Sequence, residues 1–183
     1  FESILERYAN QQSAPWMSSY NKETNRKVLT GLVLEMNNIH VARLMLERGL
    51  LGADMPTDIV RQYIVSADLE RVRLMLDIGI DPNAMIAPDE TALQIAAGTA
   101  GAGPIIDLLA ERGAIPNRPS TFHRGLIMLA ITDPDAAKEN NGRLQALGTL
   151  RTPADIKFID AIPEAHRTKV GYTFGLKDVL SYS

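Results

Sequence analysis

Residues 73–84 read RLMLDIGIDPNA, and much of that phrase occurs elsewhere in the chain. RLMLERG stands thirty residues earlier, from Arg43 to Gly49, and DLLAERGAIPN follows from Asp107 to Asn117. Aligned on Gly49, Gly79 and Gly113, the preceding octets are VARLMLER, RVRLMLDI and IIDLLAER, at spacings of 30 and 34 residues. Each reads as the last turns of a helix that stops at a glycine, the residue that enters the left-handed conformation at least cost. A period of this size signals a repeated supersecondary unit, which takes precedence over any local reading.

A second, upstream helix is expected 22 residues before each glycine, at Lys27 (KVLTGLV), Thr57 (TDIVRQY) and Thr91 (TALQIAA). Thr91 and Gln94 have capping-box spacing, in which the Thr side chain accepts an N–H while Gln reaches back to the cap. Short breaks, MNN, SAD and GTAGAGP, separate the two helices of each unit. The unit is therefore helix, turn, helix, glycine stop and an extended connector. VRLML and IIDLLA are too continuously apolar for a helix with one wet face, so the copies are expected to stack.

This pattern resembles the ankyrin repeat. GIDPN at Gly79–Asn83, TALQIAA twelve residues after that glycine, and Gly113, Ala114 and Asn117 carry the likeness. Ala130 follows Gly113 by seventeen residues, as Ala96 follows Gly79. The likeness covers Lys22 to Leu147 and is sharpest in the middle. Ala92 and Gln94 replace the family's Pro and His, and the connector from Gly49 to Thr57 is about four residues short of a full hairpin. A fourth copy, from Arg124 to Gly148, keeps its first helix; its second is expected to be shortened or bent by Asn140, Asn141 and Gly142.

The resemblance implies an all-α, ankyrin-like helical repeat solenoid with short connector hairpins and helical caps. Residues 1–21 form an N-terminal capping helix and loop, 22–150 the repeats, and 151–183 a C-terminal helical cap. Phe1, Ile4, Leu5 and Tyr8 lie at helical spacing over Phe1–Ala9, and QQSAPWMSSY reads as a loop whose Trp16 is expected to plug the cap onto the core, an interface hot spot being the alternative. Thr152 and Pro153 suit the start of one C-terminal helix. A second follows Pro163, weakened by Gly171 and Gly175.

Composition agrees with helices: 45% of the 183 residues are apolar and only 5% aromatic. With no cysteine, disulfides, thiolate metal sites and cysteine nucleophiles are excluded. A net charge of −3 makes no case for nucleic acid or a charged membrane surface. No apolar run reaches the ~18 residues of a membrane span, and the charged first stretch does not read as a signal peptide. A cysteine-free chain fits any redox compartment; the cytoplasm is weakly favoured, and secreted or periplasmic placement stays open. A start at Phe1 suggests a piece or processed form of a longer protein.

No catalytic constellation stands out. His40, His123 and His166 have no metal-site spacing; His40 is expected to help cap a helix, and His166 to lie on a solvated face. Gly98–Pro104 lacks the Lys-Ser/Thr ending of a phosphate loop and reads as an interhelical turn. Asp133 and Asp135 flank Pro134, where carboxylates cap helices. No cofactor or metal is expected.

Surface recognition is the better candidate, and the resemblance places it on the connectors and first helices. NAMIAPDE puts Met85 and Ile86 at a finger tip with Asp89 and Glu90 beside them; one of the apolar pair could instead fold beneath the finger. The next connector, NRPSTFHRG, offers Arg118, Phe122, His123 and Arg124, an interface-anchor composition. The mixed charge argues against nucleic acid. The function expected is non-catalytic binding of a protein partner by a monomer, of the kind a microbial inhibitor, immunity or effector protein performs. Two other readings stay open: an ankyrin targeting domain excised from a larger enzyme, or a catalytic or ligand-binding C-terminal appendix using His166, Tyr172 and Lys177.

Overall fold

The computed structural model describes residues 7, 19–35, 38–52, 56–88, 90–116, 122–148, 159 and 161–175; within these, the side chains of 19–22, 35, 122 and 123 lie outside the description. Those residues are mostly helical. In chain order they form α1 (Ser19–Glu35), α2 (Ile39–Glu47), α3 (Thr57–Val65), α4 (Leu69–Ile78), a hairpin of β1 (Met85–Ala87) and β2 (Glu90–Thr91), then α5 (Ala92–Ala97), α6 (Gly103–Glu111), α7 (Phe122–Thr132), α8 (Pro134–Ala146) and α9 (Glu164–Phe174). The expected helices over Phe1–Ala9 and after Thr152–Pro153, and the placement of Trp16, lie outside the described residues, except that Arg7, Ile159 and Ala161 are helical.

Short polar turns join consecutive helices into pairs, and their last residues are caps. Asn38, Asp68 and Asp133 each accept a hydrogen bond from the backbone N–H three residues on, at 3.2, 3.1 and 3.1 Å. Asn38, not His40, thus caps α2, and His40 is exposed on its first turn. Gly98–Ala102 is the turn between α5 and α6, as expected, with Pro104 in the first turn of α6. At the other end of each pair the aligned glycines do share a conformation: Gly49, Gly79 and Gly113 have φ of +65°, +103° and +86°, and Gly148 follows with +80°. Four helix ends are therefore followed by a glycine at a φ that a side chain would strain.

Two layers result. Among the first helices α3 touches α5 and α5 touches α7; among the second, α2, α4, α6 and α8 touch in turn, and α9 lies against α7 and α8. The core runs continuously between the layers through Met45, Ile64, Leu74, Met75, Leu93, Ile106, Leu109, Ile127 and Leu144, all buried. The five-residue turn after α5 lets its neighbours close over it, and every residue of this short helix is buried. Glycine permits one approach closer than any side chain allows: a methyl on Gly98 would lie 2.8 Å from the Gly125 Cα.

Three expectations need correction. The first helix does not begin near Lys27; α1 starts at Ser19, inside the stretch expected as loop. No glycine or proline interrupts residues 16–30, so nothing stops the helix from extending upstream. Nor is the second helix of the fourth copy broken: α8 runs thirteen residues from Pro134 to Ala146, through Asn140, Asn141 and Gly142. The reason is tertiary. Asn140 is buried, and its amide Nδ2 donates to the Thr99 and Ala97 carbonyls at 2.9 and 3.2 Å, with the Ala96 carbonyl at 3.5 Å. Its side chain spends its hydrogen bonds on the end of α5 rather than on its own backbone, the competition that ordinarily disfavours Asn in helices. Lastly, Gly171 does not weaken α9 visibly; it is buried inside the helix, which ends at Gly175 with φ +63°.

Candidate partner-binding surface

The connector from Gly79 to Thr91 is shaped locally before it meets anything else. Asp81 Oδ1 accepts from the Asn83 N–H at 2.8 Å, turning the chain into β1. β1 and β2 then pair antiparallel, Met85 opposite Thr91 and Ala87 opposite Glu90, with an irregular register between. Side chains alternate along a strand, so Met85 and Ile86 cannot both face the same way. Met85 is 45% exposed; Ile86 is 6% exposed and joins the core. Ile86 is therefore removed from the candidate surface: β1 lies against α3, and the inward strand position goes to the β-branched residue.

The hairpin is tied to its neighbours on both sides. At the helix it feeds, the Thr91 N–H donates to Gln94 Oε1 at 2.6 Å, and the expected capping box is complete. Glu90 is half-buried and engaged by Arg61 of α3 at 2.8 Å, which takes it out of the set of uncommitted charges. Toward the following connector, Asn83 Nδ2 donates to the Gly113 carbonyl at 3.0 Å while its Oδ1 accepts from the Ile115 N–H at 2.8 Å. One amide thus fastens two connectors by both of its ends.

That clamp exposes a residue that inspection of the chain overlooked. Ile115 is 54% exposed and stands where the preceding connector has Asp81. A carboxylate there organises its own turn; an isoleucine cannot, and it leaves an apolar side chain in water. Asn83 thus ties the connector that carries exposed Met85 to the one that carries exposed Ile115. The signal available in the sequence was the misfit itself, Ile at the Asp position of an otherwise matching connector.

Other expected residues fare differently. Asp89 and Arg118 lie outside the described residues. Phe122 and His123 begin α7, with side chains outside the description; Arg124 is exposed in its first turn. Met128, one turn beyond Arg124, is 47% exposed on the same face. His166 and Tyr172 are both exposed on α9, but six residues apart they sit about 240° around the helix from each other, on different faces. Lys177 lies outside the described residues.

Between α1, α2, α3 and α4 lies a depression of only about 10 Å³ lined by Val33, Leu34, Ala42, Tyr63, Arg71 and Leu74. It is smaller than the ~300–1,000 Å³ of typical small-molecule sites. Its polar groups are engaged: Tyr63 Oη donates to the Leu34 carbonyl at 2.9 Å, and Arg71 pairs with Asp68 and lies 5.4 Å over the Tyr63 ring. Among the described residues no group of three His, Asp or Glu converges as a metal site, and no helix is long and apolar enough to cross a membrane.

The outer layer carries charge in pairs between successive helices. Arg43 meets Glu70 at 2.6 Å, Asp77 meets Arg112 at 2.8 Å, and Arg143 meets Asp107. Exposed pairs of this kind contribute little to stability, ~0–1 kcal/mol each, but they neutralise that face. Most of the large exposed apolar side chains, Val28, Leu32, Val65, Met85, Ile115 and Met128, fall on first helices and connectors, while Leu147 ends α8 and Tyr172 lies on α9. Comparison with protein-family models, curated proteins and solved structures finds no match to this chain.

Proposed function

We propose that this chain is a divergent ankyrin-like repeat stack that binds a protein partner through its connector edge and first helices. The observation that carries the reading is the Asn83 clamp. It fastens the connector that carries exposed Met85 to the one that carries exposed Ile115, so little loop freedom remains to be lost on association. Exposed apolar side chains on a rigid edge have a use when a partner covers them. Arg124 and Met128 on α7 extend the surface along the first helices, and Met is suited to adaptable apolar contact. The repeat architecture itself is supported by the left-handed glycines at matched positions and by the helix contacts in two layers.

The test is affinity capture from the native source with three full-length proteins: wild type, Met85→Asp/Ile115→Asp, and Lys138→Glu on the exposed side of α8. All three substituted side chains are exposed, so melting temperatures should match wild type. The double variant is expected to weaken a captured partner about tenfold or more, the effect of losing at least one interface anchor, while Lys138→Glu leaves it unchanged. A partner held equally by all three would overturn the assignment of the edge.

A further inference from the structure

Asn141 and Gly142 are the only Asn-Gly pair in the chain. Such a pair is prone to lose its side-chain amide, because a glycine has no Cβ to hinder attack by its own backbone nitrogen on the preceding side chain. That nitrogen gives up its proton and bonds to the Asn Cγ, the side-chain amide leaves as ammonia, and a cyclic imide remains. Water then opens the imide at either carbonyl, leaving aspartate or isoaspartate, and no other reactant is needed. Asn-Gly ordinarily marks a tight turn. Here it lies inside α8.

Burial does not shield the pair. Gly142 is exposed, Asn141 is half-buried, and a carbon added to Gly142 meets nothing within 4 Å. The helix shields it instead: the Gly142 N–H belongs to the helical ladder, committed to the carbonyl four residues back, so its nitrogen can neither lose the proton nor turn toward Cγ. Asn and Gly are both poor helix formers, so local preference does not hold this conformation. Anchors on either side of the pair do. Before it, Asn140 donates to the Thr99 and Ala97 carbonyls at 2.9 and 3.2 Å; after it, Arg143 meets Asp107 of α6 and Leu144 is fully buried.

We propose that Asn141 is a latent deamidation site, held closed by the tertiary anchors of α8 and exposed to reaction when that helix opens. Isoaspartate adds a carbon to the backbone and a negative charge to the side chain. It breaks the ladder beside Asn140, so a helix that has opened and reacted no longer closes on the end of α5. A reversible opening of α8 is thereby turned into a lasting mark on the chain.

The test incubates the full chain at constant temperature and near-neutral pH and follows isoaspartate at residue 141 by peptide mapping. Each protein's rate when folded is divided by its own rate in urea, which removes the influence of neighbouring side chains on the intrinsic chemistry. Folded wild type is expected at least about a hundredfold below its unfolded rate, since only the open fraction reacts. Asn140→Ala should raise this ratio about tenfold or more. Asp133→Ala removes only the exposed cap of the same helix, away from the pair, and should raise it about threefold; if Asn140→Ala does not fold, this variant decides. A folded wild type within about threefold of its unfolded rate, or ratios unchanged in the loosened variants, would overturn the proposal. So would reacted wild type, separated by its added charge, that keeps unaltered hydrogen exchange at Gly98, Thr99 and Ala102, whose amides close the turn after α5.

Discussion

Replacing Asn140 isolates the contact that joins α8 to the end of α5. The side chain is 1% exposed. Its Nδ2 has two hydrogens and three carbonyls within reach, so two good bonds form at most, to Thr99 and Ala97 at 2.9 and 3.2 Å. A net hydrogen bond is worth about 1 kcal/mol, and an acceptor left buried without a donor costs ~1–3 kcal/mol. The Ala97 carbonyl is in a fully buried residue, the Thr99 carbonyl only partly so. Asn140→Ala should therefore destabilise by about 2–4 kcal/mol, or roughly 5–15 °C in Tm for a chain of this size. Urea unfolding gives the total; hydrogen exchange locates it, with faster exchange expected at Gly98, Thr99 and Ala102, whose amides close the turn after α5. Asn140→Asp sharpens the test. The introduced carboxyl would face carbonyl oxygens in a buried site, which raises its folded pKa above the ~3.9 of the unfolded chain. A raised folded value means that any stabilising contribution is present below about pH 4 and is lost as pH rises through the folded pKa. This variant should thus approach wild-type stability in acid, relative to wild type at the same pH, and fall furthest behind at neutrality. A loss below ~0.5 kcal/mol in Asn140→Ala, with unchanged exchange at 98–102, would refute the reasoning.

Further expectations follow from single contacts. Asn83→Ala removes both ends of the connector clamp and should cost ~1–2 kcal/mol, with the Ile115 amide losing protection from hydrogen exchange. Gly98→Ala places a methyl 2.8 Å from backbone atoms of Gly125 and should cost ~2 kcal/mol or more in chemical denaturation, whereas Gly142→Ala, with nothing within 4 Å of the added carbon, should be neutral or slightly stabilising. Ala67 is the one described non-glycine residue at positive φ, +53°. Ala67→Gly relieves about 1–2 kcal/mol of strain against ~0.5–1 kcal/mol of added unfolded-state freedom, so a small gain in urea midpoint is expected.

Local chemistry made much of this protein legible in one dimension. The glycine stops, the Thr91–Gln94 box, the Asp133–Pro134 start and the interhelical turn at Gly98–Ala102 each depend on residues within one or two turns of one another, and each was readable from spacing. The fates of Ile86 and Asn140 were not. Strand alternation says that one of Met85 and Ile86 turns inward; only the position of α3 beside β1 says which. Asn140 reads as a helix breaker until the open carbonyls of α5 stand opposite it, across 41–44 residues of chain. Ile115 similarly became a surface candidate only when Asn83, thirty-two residues earlier, was found holding its backbone. The amino-acid order thus determined the glycine stops and most helix starts, though not that of α1, because capping and turn energies are local. Which polar groups find partners, and which apolar ones stay in water, was decided by neighbours brought together on folding, since burial and hydrogen-bond satisfaction depend on distance in space rather than along the chain.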